Sequence, residues 1–384
     1  MNDIPLCFSR LIGTYDLSKL FNVTLRFGFD ANIDMYELLI RLGFREFFTD
    51  PGYSYKPGCV RRLAKRIIRT SDYRWKINVN PDQKTERGCF VEILKNEKSA
   101  AVVRFNTIVA NGNTYYGVEI NTDEEIGDDT STISFPPCKI GNIEEILLTQ
   151  TILNYVIGIP TKKVLFHGKP VKLKYPGNIM LIGAGGIGSN FVKTCRTYNS
   201  RDRMYVFDDD IVNEVNLNRS FNIEDIGKYK SIAVTEKNDI GIIPMVMNIF
   251  DYNFNSDFMK SISYIVLAVD NKEARIYMDE ISQQYNIPLI DGGSSFDGFG
   301  GSIRHVVPGT TPTLKEMLKM TYIGDFFENK NVSDYSCSSS LCTTHSLVAE
   351  LMLSQLLSCG NERKSCIKFS LRDFSAFSVD MDEY

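Results

Sequence analysis

A glycine-rich turn and the polar residues that follow it are the part of this sequence best suited to chemistry. The turn contains four glycines: Gly183, Gly185, Gly186 and Gly188. Glycines in such a turn let phosphate groups approach the backbone closely. The polar residues that follow are Asp208, Asp210, Asn216, Arg219, Lys230, Asp270 and Asn271. Their carboxylates, amides and cations could bind a sugar, a phosphate chain and a divalent cation, so the two sets together predict a nucleotide site.

The turn lies between a predicted strand at 179–182 and a predicted helix at 189–198. This setting matters because a helix N-terminus offers free N–H groups and a favourable dipole to a phosphate. Asp208 comes at the end of the next predicted strand, at 204–207, where a carboxylate typically binds ribose hydroxyls. The glycines could instead serve only close packing of helix on sheet, but strand, helix and acid together favour a nucleotide.

The polar residues beyond the second strand distinguish between two kinds of nucleotide. A dinucleotide enzyme has no need of Arg219 and Lys230 here, whereas both could neutralise charge on the β- and γ-phosphates of a triphosphate. Asn216 could orient a phosphate, and Asp270, after a predicted strand at 264–269, suits Mg²⁺. Singly, each residue could be a solvated charge, a turn residue or a helix cap. Their order and spacing together favour the triphosphate.

This order of motifs resembles the ThiF/MoeB-type family, also called the E1-like activating enzymes. The match lies between 175 and 310 and consists of four segments: Gly183 to Gly188, Asp208 to Arg219, Gly227 to Lys230, and Ala268 to Asn271. The resemblance implies an enzyme that transfers AMP from ATP to a carboxylate, usually a protein or peptide C-terminus. It also implies that the enzyme acts as a homodimer.

The resemblance assigns a role to each polar residue. It implies that Asp208 binds the ribose and that Asn216, Arg219 and Lys230 bind the triphosphate. It implies that Asp270 serves Mg²⁺ and the adenylation step, which makes Arg219, Lys230 and Asp270 the catalytic set. The remaining nucleotide-binding residues on this interpretation are Gly183, Gly185, Gly186, Gly188, Asp210 and Asn271.

Three departures from the family pattern stand out. The family usually has Gln where this chain has Ser220. Many members bind a structural zinc with two CxxC pairs, but the first pair would fall at 312–316, where no cysteine occurs. Zinc is therefore not expected, since the remaining cysteines lack paired spacing: Cys337, Cys342, Cys359 and Cys366. Cys337 or Cys342 could form a thioester, as in the full-length ubiquitin-activating relatives, although a packed cysteine is the commoner case.

The third departure concerns an arginine. Simpler family members use one near the N-terminus of the domain, and it reaches into the partner's site. No arginine occurs between Arg104 and Arg196. The role is therefore vacant, or is taken by Lys162, Lys163 or another group.

The motifs require an α/β fold to position them. Strands that alternate with helices after residue 178 predict a Rossmann-like, mostly parallel sheet with helices on both faces. A smaller α+β domain is expected at 1–125, mainly helical up to residue 75, followed by a linker at 126–140 and the adenylation domain at 141–384. Predicted elements of the smaller domain are helices at 35–47 and 59–70, strands at 90–94, 101–109 and 114–120, and a turn at Asn111-Gly112.

The domain at 1–125 exceeds what the family fold needs. In this respect the chain resembles the branch of the family that modifies ribosomally made precursor peptides, above all the pantocin-type enzymes. That resemblance implies that the N-terminal domain binds the leader of a precursor peptide, for example as a strand added to a sheet edge. It also implies that the adenylated carboxylate is then cyclised and dehydrated. A basic helix face could meet acidic peptide residues or could simply be solvated: Arg61, Arg62, Lys65, Arg66 and Arg69.

Composition restricts the remaining possibilities. The net charge of −4 gives no sign of a nucleic-acid partner. Apolar runs are too short for a membrane span, and the N-terminus lacks the features of a secretory signal. Nine cysteines at irregular spacings indicate a reducing compartment, so a cytoplasmic protein is expected. The histidines are too scattered for a ligand set, and His345, on a predicted C-terminal helix, is expected to be packed or on the surface.

Three alternatives remain open at this point. The carboxylate could belong to a ubiquitin-like or sulfur-carrier protein, or be carried on a tRNA, rather than to a precursor peptide. The nucleotide could be NAD in an oxidoreductase, although the cations after the glycine turn argue against it. The chain could also be a peptide-binding scaffold that retains nucleotide affinity without catalysis.

Overall fold

The computed structural model describes residues 6–11, 14–49, 57–68, 78–81, 90–95, 98–110, 113–122, 130–134, 140–160, 163–168, 177–195, 202–236, 241–320, 341–358 and 364–380. Within these ranges the chain forms two eight-stranded sheets. Helices pack against both of them.

The first sheet lies mostly in the N-terminal half of the chain. Its strands are β1 (Val23–Phe27), β2 (Glu46–Thr49), β3 (Asn78–Pro81), β4 (Phe90–Lys95), β5 (Lys98–Ala110), β6 (Asn113–Thr122), β7 (Thr130–Ser134) and β8 (Lys163–Gly168). Their order is β3-β2-β1-β4-β5-β6-β8-β7. The associated helices are α1 (Ile33–Leu42), α2 (Pro57–Ile67) and α3 (Ile140–Ile157). β1, β2 and β3 are parallel, whereas β4, β5 and β6 form an antiparallel meander.

Local sequence explains where α1 begins and ends. The side chain of Asn32 accepts a hydrogen bond from Met35 N at 2.9 Å, which caps the first turn. Gly43 ends the helix with φ of 101°, a left-handed conformation that favours glycine. The predicted helix at 35–47 is therefore too long, because β2 starts at Glu46. Helices and 3₁₀ turns make up most of the regular structure described before residue 75, as predicted, but two strands that the sequence did not predict, β1 and β2, also lie there.

The first sheet extends past the predicted domain boundary. The segment 126–140, predicted as a linker, contains β7, which pairs with β8 in parallel. β8 itself lies beyond residue 141, where the sequence predicts the second domain to begin. The linker prediction therefore does not mark the end of the first sheet, whose outer strands come from both sides of α3. The turn at Asn111-Gly112 lies outside the described residues, but the strands on either side of it, β5 and β6, pair as predicted.

The second sheet carries the glycine turn. Its strands are β9 (Asn178–Ile182), β10 (Met204–Phe207), β11 (Ile242–Met245), β12 (Ile262–Leu267), β13 (Leu289–Ser294), β14 (Gly300–Val306), β15 (Lys364–Ser370) and β16 (Ser375–Asp380). The helices are α4 (Gly186–Cys195), α5 (Lys230–Thr235), α6 (Ser256–Ser261), α7 (Lys272–Tyr285), α8 (Leu314–Met320) and α9 (Cys342–Leu357). The order β11-β10-β9-β12-β13 is parallel, and β14 to β16 follow as antiparallel neighbours.

Both faces of the second sheet are covered by helices. Along β9, Ile179 and Leu181 pack in the cluster that contains α4 and α9, whereas Met180 and Ile182 pack with α6, α7 and α8. This alternation follows from the two-residue period of a strand, and two apolar faces explain the near-continuous apolar sequence. The predicted mostly parallel sheet with helices on both faces is confirmed.

The two sheets share one apolar core. The cluster that holds α4 and α9 continues through α3 into the residues of the first sheet, such as Leu25 and Val91. We call residues 6–168, with the first sheet and α1 to α3, the first region, and residues 177–380, with the second sheet, the second region. α1 and α3 of the first region both contact α9 of the second. No helix in the described part of the chain is long and apolar enough to cross a bilayer.

Candidate nucleotide-binding site

A cavity of about 760 Å³ opens at the carboxyl ends of β9, β10 and β12. In open α/β sheets ligands bind at this edge, and the volume lies within the range of small-molecule sites. The cavity brings together nearly all of the residues that the sequence predicts for the nucleotide: Gly183, Gly185, Gly186, Asp208, Asp210, Asn216, Arg219, Lys230, Asp270 and Asn271. Gly188 lies one turn further along α4.

The glycines of the turn are required for different reasons. Gly183 has φ of 91°, and a Cβ there would lie 2.6 Å from the carbonyl oxygen of Ala268. A Cβ on Gly188 would lie 1.9 Å from the carbonyl oxygen of Gly183, so packing explains both residues. A Cβ on Gly185 would meet no protein atom within 4 Å. Because Gly185 lines the cavity, close approach of a ligand to the backbone is the remaining reason for a glycine there.

Asp208 is held in place by the glycine turn. Its carboxylate accepts hydrogen bonds from Ala184 N at 2.7 Å and from Asp210 N at 3.0 Å. Burial raises the pKa of Asp208, and the bond from Ala184 N only partly offsets that effect. A carboxylate has about four acceptor positions, so capacity remains for the hydroxyls of a ribose.

Lys230 lies at the start of α5 and is tied to the loop after β10. Its Nζ is 2.6 Å from Oδ2 of Asp210, and its backbone N donates to the carbonyl oxygen of Asp210 at 2.8 Å. Ser231 Oγ donates to the carbonyl oxygen of Asp208 at 2.6 Å. These bonds bring the Lys230 cation to the same edge of the cavity as Asp208, beside an exposed counter-ion.

Asn216 and Arg219 lie on the loop between β10 and α5. The side-chain oxygen of Asn216 accepts a bond from Asn213 N at 3.0 Å, which holds a short helical turn. The amide nitrogen of Asn216 is then the group that can donate to a phosphate. Arg219 lies beside the first turn of α4, because its Cδ is 3.1 Å from the position of a Cβ on Gly186. Arg219 therefore lines the cavity beside the helix N-terminus at which a phosphate would bind.

Asp270 and Asn271 follow β12. Asn271 Oδ1 accepts a bond from Ala274 N at 2.8 Å, so Asn271, not Asp270, caps α7. The Asp270 carboxylate is exposed at the cavity. One carboxylate beside a phosphate chain is the arrangement that Mg²⁺ prefers, so the residues fit this cation.

A structural zinc site would need several Cys or His ligands close together. Over the residues that the structure describes, no group of three or more His, Cys, Asp or Glu could hold a metal ion. Cys342 and Cys366 are buried, and Cys337 and Cys359 lie outside the described residues. Burial raises the pKa of Cys342 to about 12, which keeps its thiol protonated and unsuited to thioester formation.

Arg10 is a cavity residue that sequence reasoning missed. It lies in a 3₁₀ turn at Leu6–Leu11, which packs against the short helical turn Glu214–Asn216. Its side chain lines the cavity together with Arg219 and Lys230. For the arginine that simpler family members place in the partner's site, the sequence analysis considered Lys162 or Lys163 as replacements. Lys162 and the side chain of Lys163 lie outside the described residues. Nothing in the spacing marks Arg10, because only the tertiary fold brings it to the site.

His345 also lines the cavity. It is 5% exposed in the first turn of α9, and its Nδ1 lies 2.3 Å from the position of a Cβ on Gly186. Burial, with the nearby Arg219 cation, lowers the pKa of His345 to about 3. The imidazole is therefore neutral near pH 7 and adds no charge to the cavity. The prediction of a packed histidine holds, but the residue packs against the glycine turn.

The basic helix face on α2 lies away from the cavity. Arg61, Arg62 and Lys65 are exposed. Arg66 is also exposed, but its Nε donates to Oε1 of Glu224 at 2.8 Å. Arg69 lies outside the described residues. A substrate role for this face stays a prediction.

Comparison with known sequences gives one family and several partial relatives. The sequence model of the ThiF family matches residues 172–383, more than half of the chain. The chain is 34% identical over 149 residues to a ubiquitin-activating enzyme E1-like protein of Saccharomyces cerevisiae, covering 37% of this chain and 23% of that protein. It is 30% identical over 183 residues to SUMO-activating enzyme subunit uba-2 of Caenorhabditis elegans, covering 45% and 30%. The chain thus spans less than a third of the length of either relative.

Comparison with solved structures gives a weaker likeness. The structure of E. coli MccB with succinimide aligns with a TM-score of 0.42 at 19% identity, covering 53% of this chain and 64% of that one. MccB with ATP aligns with a TM-score of 0.40 at 17% identity over the same shares. These values are too low to support an inference about function.

Proposed function

This chain belongs to the ThiF family of E1-like adenylating enzymes, and we propose that it uses ATP to adenylate a carboxylate. The family match confirms the resemblance predicted from the sequence. The observation that carries the proposal is the convergence of Arg10, Arg219 and Lys230 on a glycine turn at the sheet edge. A fourth cationic residue of the cavity, Arg275, is paired with Asp291. The other three suit a triphosphate better than the two bridged phosphates of a dinucleotide.

The proposed reaction is an in-line displacement at the α-phosphorus. A substrate carboxylate oxygen forms a bond to the α-phosphorus while the bond to the bridging oxygen of the β-phosphate breaks. Pyrophosphate leaves, and the product is an acyl adenylate. Arg219, Lys230 and Arg10 would neutralise the charge that develops on pyrophosphate, and Asp208 would hold the ribose. Asn216 Nδ2 would orient a phosphate oxygen.

Asp270 would hold Mg²⁺ in this proposal. The cation, when bound, would neutralise part of the phosphate charge as a Lewis acid. Asp270 suits this role because it is exposed at the cavity and Asn271 already caps α7. The family resemblance also implies a homodimer, and we include that assembly in the proposal.

We infer further that the carboxylate belongs to a ribosomally made precursor peptide whose leader binds the first region. Among the described strands, β3 lies at one edge of the first sheet, where another strand could add. α2 contacts β3 and exposes Arg61, Arg62 and Lys65 nearby. An acidic, extended leader would meet both the edge and the basic face. A nucleophile of the same peptide would then displace AMP, and cyclisation with loss of water would follow.

A ubiquitin-like or sulfur-carrier protein is the second candidate substrate, with a tRNA-borne carboxylate as a further variant. The observation in its favour is that the curated relatives are named for activating ubiquitin and SUMO. Those names belong to proteins of which this chain spans less than a third. The first sheet favours the peptide, because it offers an edge for an extended chain.

Exchange of labelled pyrophosphate into ATP tests both levels of the proposal. The full chain is incubated with ATP, Mg²⁺ and labelled pyrophosphate, with either a short peptide encoded next to its gene or a ubiquitin-like protein. Exchange with the peptide alone supports the peptide proposal. Exchange with the carrier protein alone overturns it but retains adenylation.

Binding of NAD without binding of ATP would overturn adenylation itself, because it would identify an oxidoreductase. Product formation that persists in Asp270→Ala and Arg219→Ala would overturn the roles proposed for these two residues. Loss of product in both variants with retained peptide binding would argue against a non-catalytic scaffold.

A further inference from the structure

The loop that carries Asn216 and Arg219 is held from outside the second sheet. We name residues 213–225 the phosphate-binding segment. The 3₁₀ turn at Leu6–Leu11 packs on its first residues, and Arg66 of α2 contacts Glu224 near its end. The middle of the segment is held by Arg41 of α1. Three elements of the first region therefore contact one loop of the nucleotide site.

Arg41 makes the most extensive of these contacts. Its side chain is 1% exposed, and it lies in the last turn of α1. Nη1 donates to the carbonyl oxygens of Leu217 and of Phe221, the latter at 2.8 Å, and Nη2 donates to Asn222 Oδ1 at 3.1 Å. These acceptors lie on both sides of Arg219. Arg41 thereby holds the backbone on either side of Arg219.

The same guanidinium is tied to the helix that follows the glycine turn. Glu37 accepts from Arg41 Nε at 3.0 Å and from Nη2 at 2.8 Å. Lys193 of α4 lies 3.0 Å from Glu37 and 2.7 Å from Asp34. Burial alone would raise the pKa of Glu37, but the charges of Arg41 and Lys193 outweigh it and lower that pKa to about 2. Side chains of α1 therefore bind both the phosphate-binding segment and α4.

A buried arginine is a costly way to fill space between a helix and a loop. A Leu or Met of similar volume would pack there without the desolvation of a charge. Arg41 instead donates hydrogen bonds to carbonyl groups on both sides of Arg219. Such charge-assisted bonds are strong and directional. We propose that Arg41 is a positioning residue that sets Arg219 against the phosphates. This inference rests on the proposed function, because it assigns Arg219 to the triphosphate.

Binding of ATP and of AMP to the full chain distinguishes positioning from mere stability. Dissociation constants are measured by calorimetry for wild type, Arg41→Met and Arg41→Lys. We expect Arg41→Met to raise the dissociation constant of ATP about tenfold or more and that of AMP by less than about twofold. The reason is that AMP lacks the phosphates that Arg219 would hold. Arg41→Lys should recover part of the ATP affinity because it restores a donor. Arg26→Met, which removes an ion pair with Glu92 within the first sheet and away from this segment, is the control and should change neither constant.

A second measurement examines whether Arg41 acts through Arg219. The double variant Arg41→Met/Arg219→Ala should bind ATP no more weakly than Arg219→Ala alone, because positioning has no effect once the positioned group is gone. Additive losses would overturn the inference. So would equal weakening of ATP and AMP, or wild-type ATP affinity in folded Arg41→Met.

The inference can be tested even if Arg41→Met does not fold. Asn222→Ala removes one acceptor of Arg41 and should weaken ATP several-fold while AMP is unaffected; equal or absent effects would overturn the proposal. If wild type bound neither nucleotide, the proposed function would fail, and the inference with it. If wild type bound ATP and the variants did not discriminate, only the role of Arg41 would fail.

Discussion

The two sheets of this chain contribute to the nucleotide site by different means. The second sheet provides backbone and strand ends: the glycine turn after β9, Asp208 after β10 and Asp270 after β12. The first region provides side chains that reach across from other elements, with Arg10 in the cavity and Arg41 behind it. The second sheet thus forms the glycine turn and the strand ends, whereas the first region adds Arg10 and holds the loop that carries Arg219.

This difference explains why the two contributions are unequally visible in the sequence. The residues of the second sheet follow one another in a fixed order over fewer than a hundred positions. Arg41 and its acceptor Phe221 are 180 residues apart. No periodicity or spacing rule links residues so distant, because the tertiary fold alone brings them together. Variants that affect one region without the other can test this comparison.

The largest effect is expected for Arg219, whose side chain lines the cavity. Arg219→Ala should lower kcat/KM for ATP–pyrophosphate exchange by roughly 100- to 1,000-fold, because it removes a preorganised charge that faces the leaving phosphates. The exchange is measured with the carboxylate substrate that supports it in wild type. Lys228→Ala is the matched control, since Lys228 lies on the same loop but pairs with Glu236 on the surface. A loss below about fivefold in Arg219→Ala would remove this residue from the chemistry.

A stability effect is expected where the regions meet. Glu37→Gln should cost up to about 3 kcal/mol of unfolding free energy at neutral pH, from a pKa lowered from 4.5 to about 2. Because the folded pKa is depressed, this contribution is complete above pH 4.5 and is lost as the pH falls toward 2. The gap between wild type and variant in urea unfolding should therefore narrow from pH 7 to pH 3. If the difference in unfolding free energy between wild type and variant stayed constant with pH, the Glu37 charge would not stabilise the contact between the two regions.

The fold of the second sheet could be predicted because each signal there is local. The strand at 204–207 and the acid after it were both placed correctly, since a buried strand, a turn and a helix repeat in order. The helix predicted at 35–47 failed because its apolar spacing continues past Gly43 into β2. Pairing of Phe47 with Leu25 of β1 decides that stretch, and a single sequence does not reveal the pairing. In the site, the sequence does not predict Arg10 in the cavity or His345 against the glycine turn, for the same reason.

Arg10 tests whether the first region acts on the cavity of its own protomer. Arg10→Ala should reduce exchange by roughly 10- to 100-fold, less than the loss for Arg219, because Arg10 lies in a short N-terminal turn with fewer restraints. Arg26→Ala, which breaks a partly buried ion pair with Glu92 in the first sheet, should leave the rate unchanged.

Mixing two impaired variants identifies the protomer that Arg10 serves. A mixture of Arg10→Ala with Asp270→Ala should show no more activity than the two variants measured separately if both residues act in one protomer, since every site then lacks one of them. Recovery of a substantial fraction of wild-type activity would show instead that Arg10 reaches into the partner's cavity. That outcome would transfer the role of the first region from one protomer to its neighbour.

The smallest effect is expected for the backbone contribution of the second sheet, and Gly185 isolates it. A Cβ on Gly185 would meet no protein atom within 4 Å, so Gly185→Ala should leave the melting temperature unchanged. It should nevertheless weaken ATP about tenfold, because the methyl group would occupy space beside the phosphates.

Gly188→Ala is the matched variant with the opposite expectation. Its Cβ would lie 1.9 Å from the carbonyl oxygen of Gly183, so the protein must shift and the melting temperature must fall. If Gly185→Ala bound ATP like wild type at an unchanged melting temperature, the phosphates would not lie against the turn. Side chains contributed by the first region, rather than the backbone of the glycine turn, would then account for nucleotide affinity.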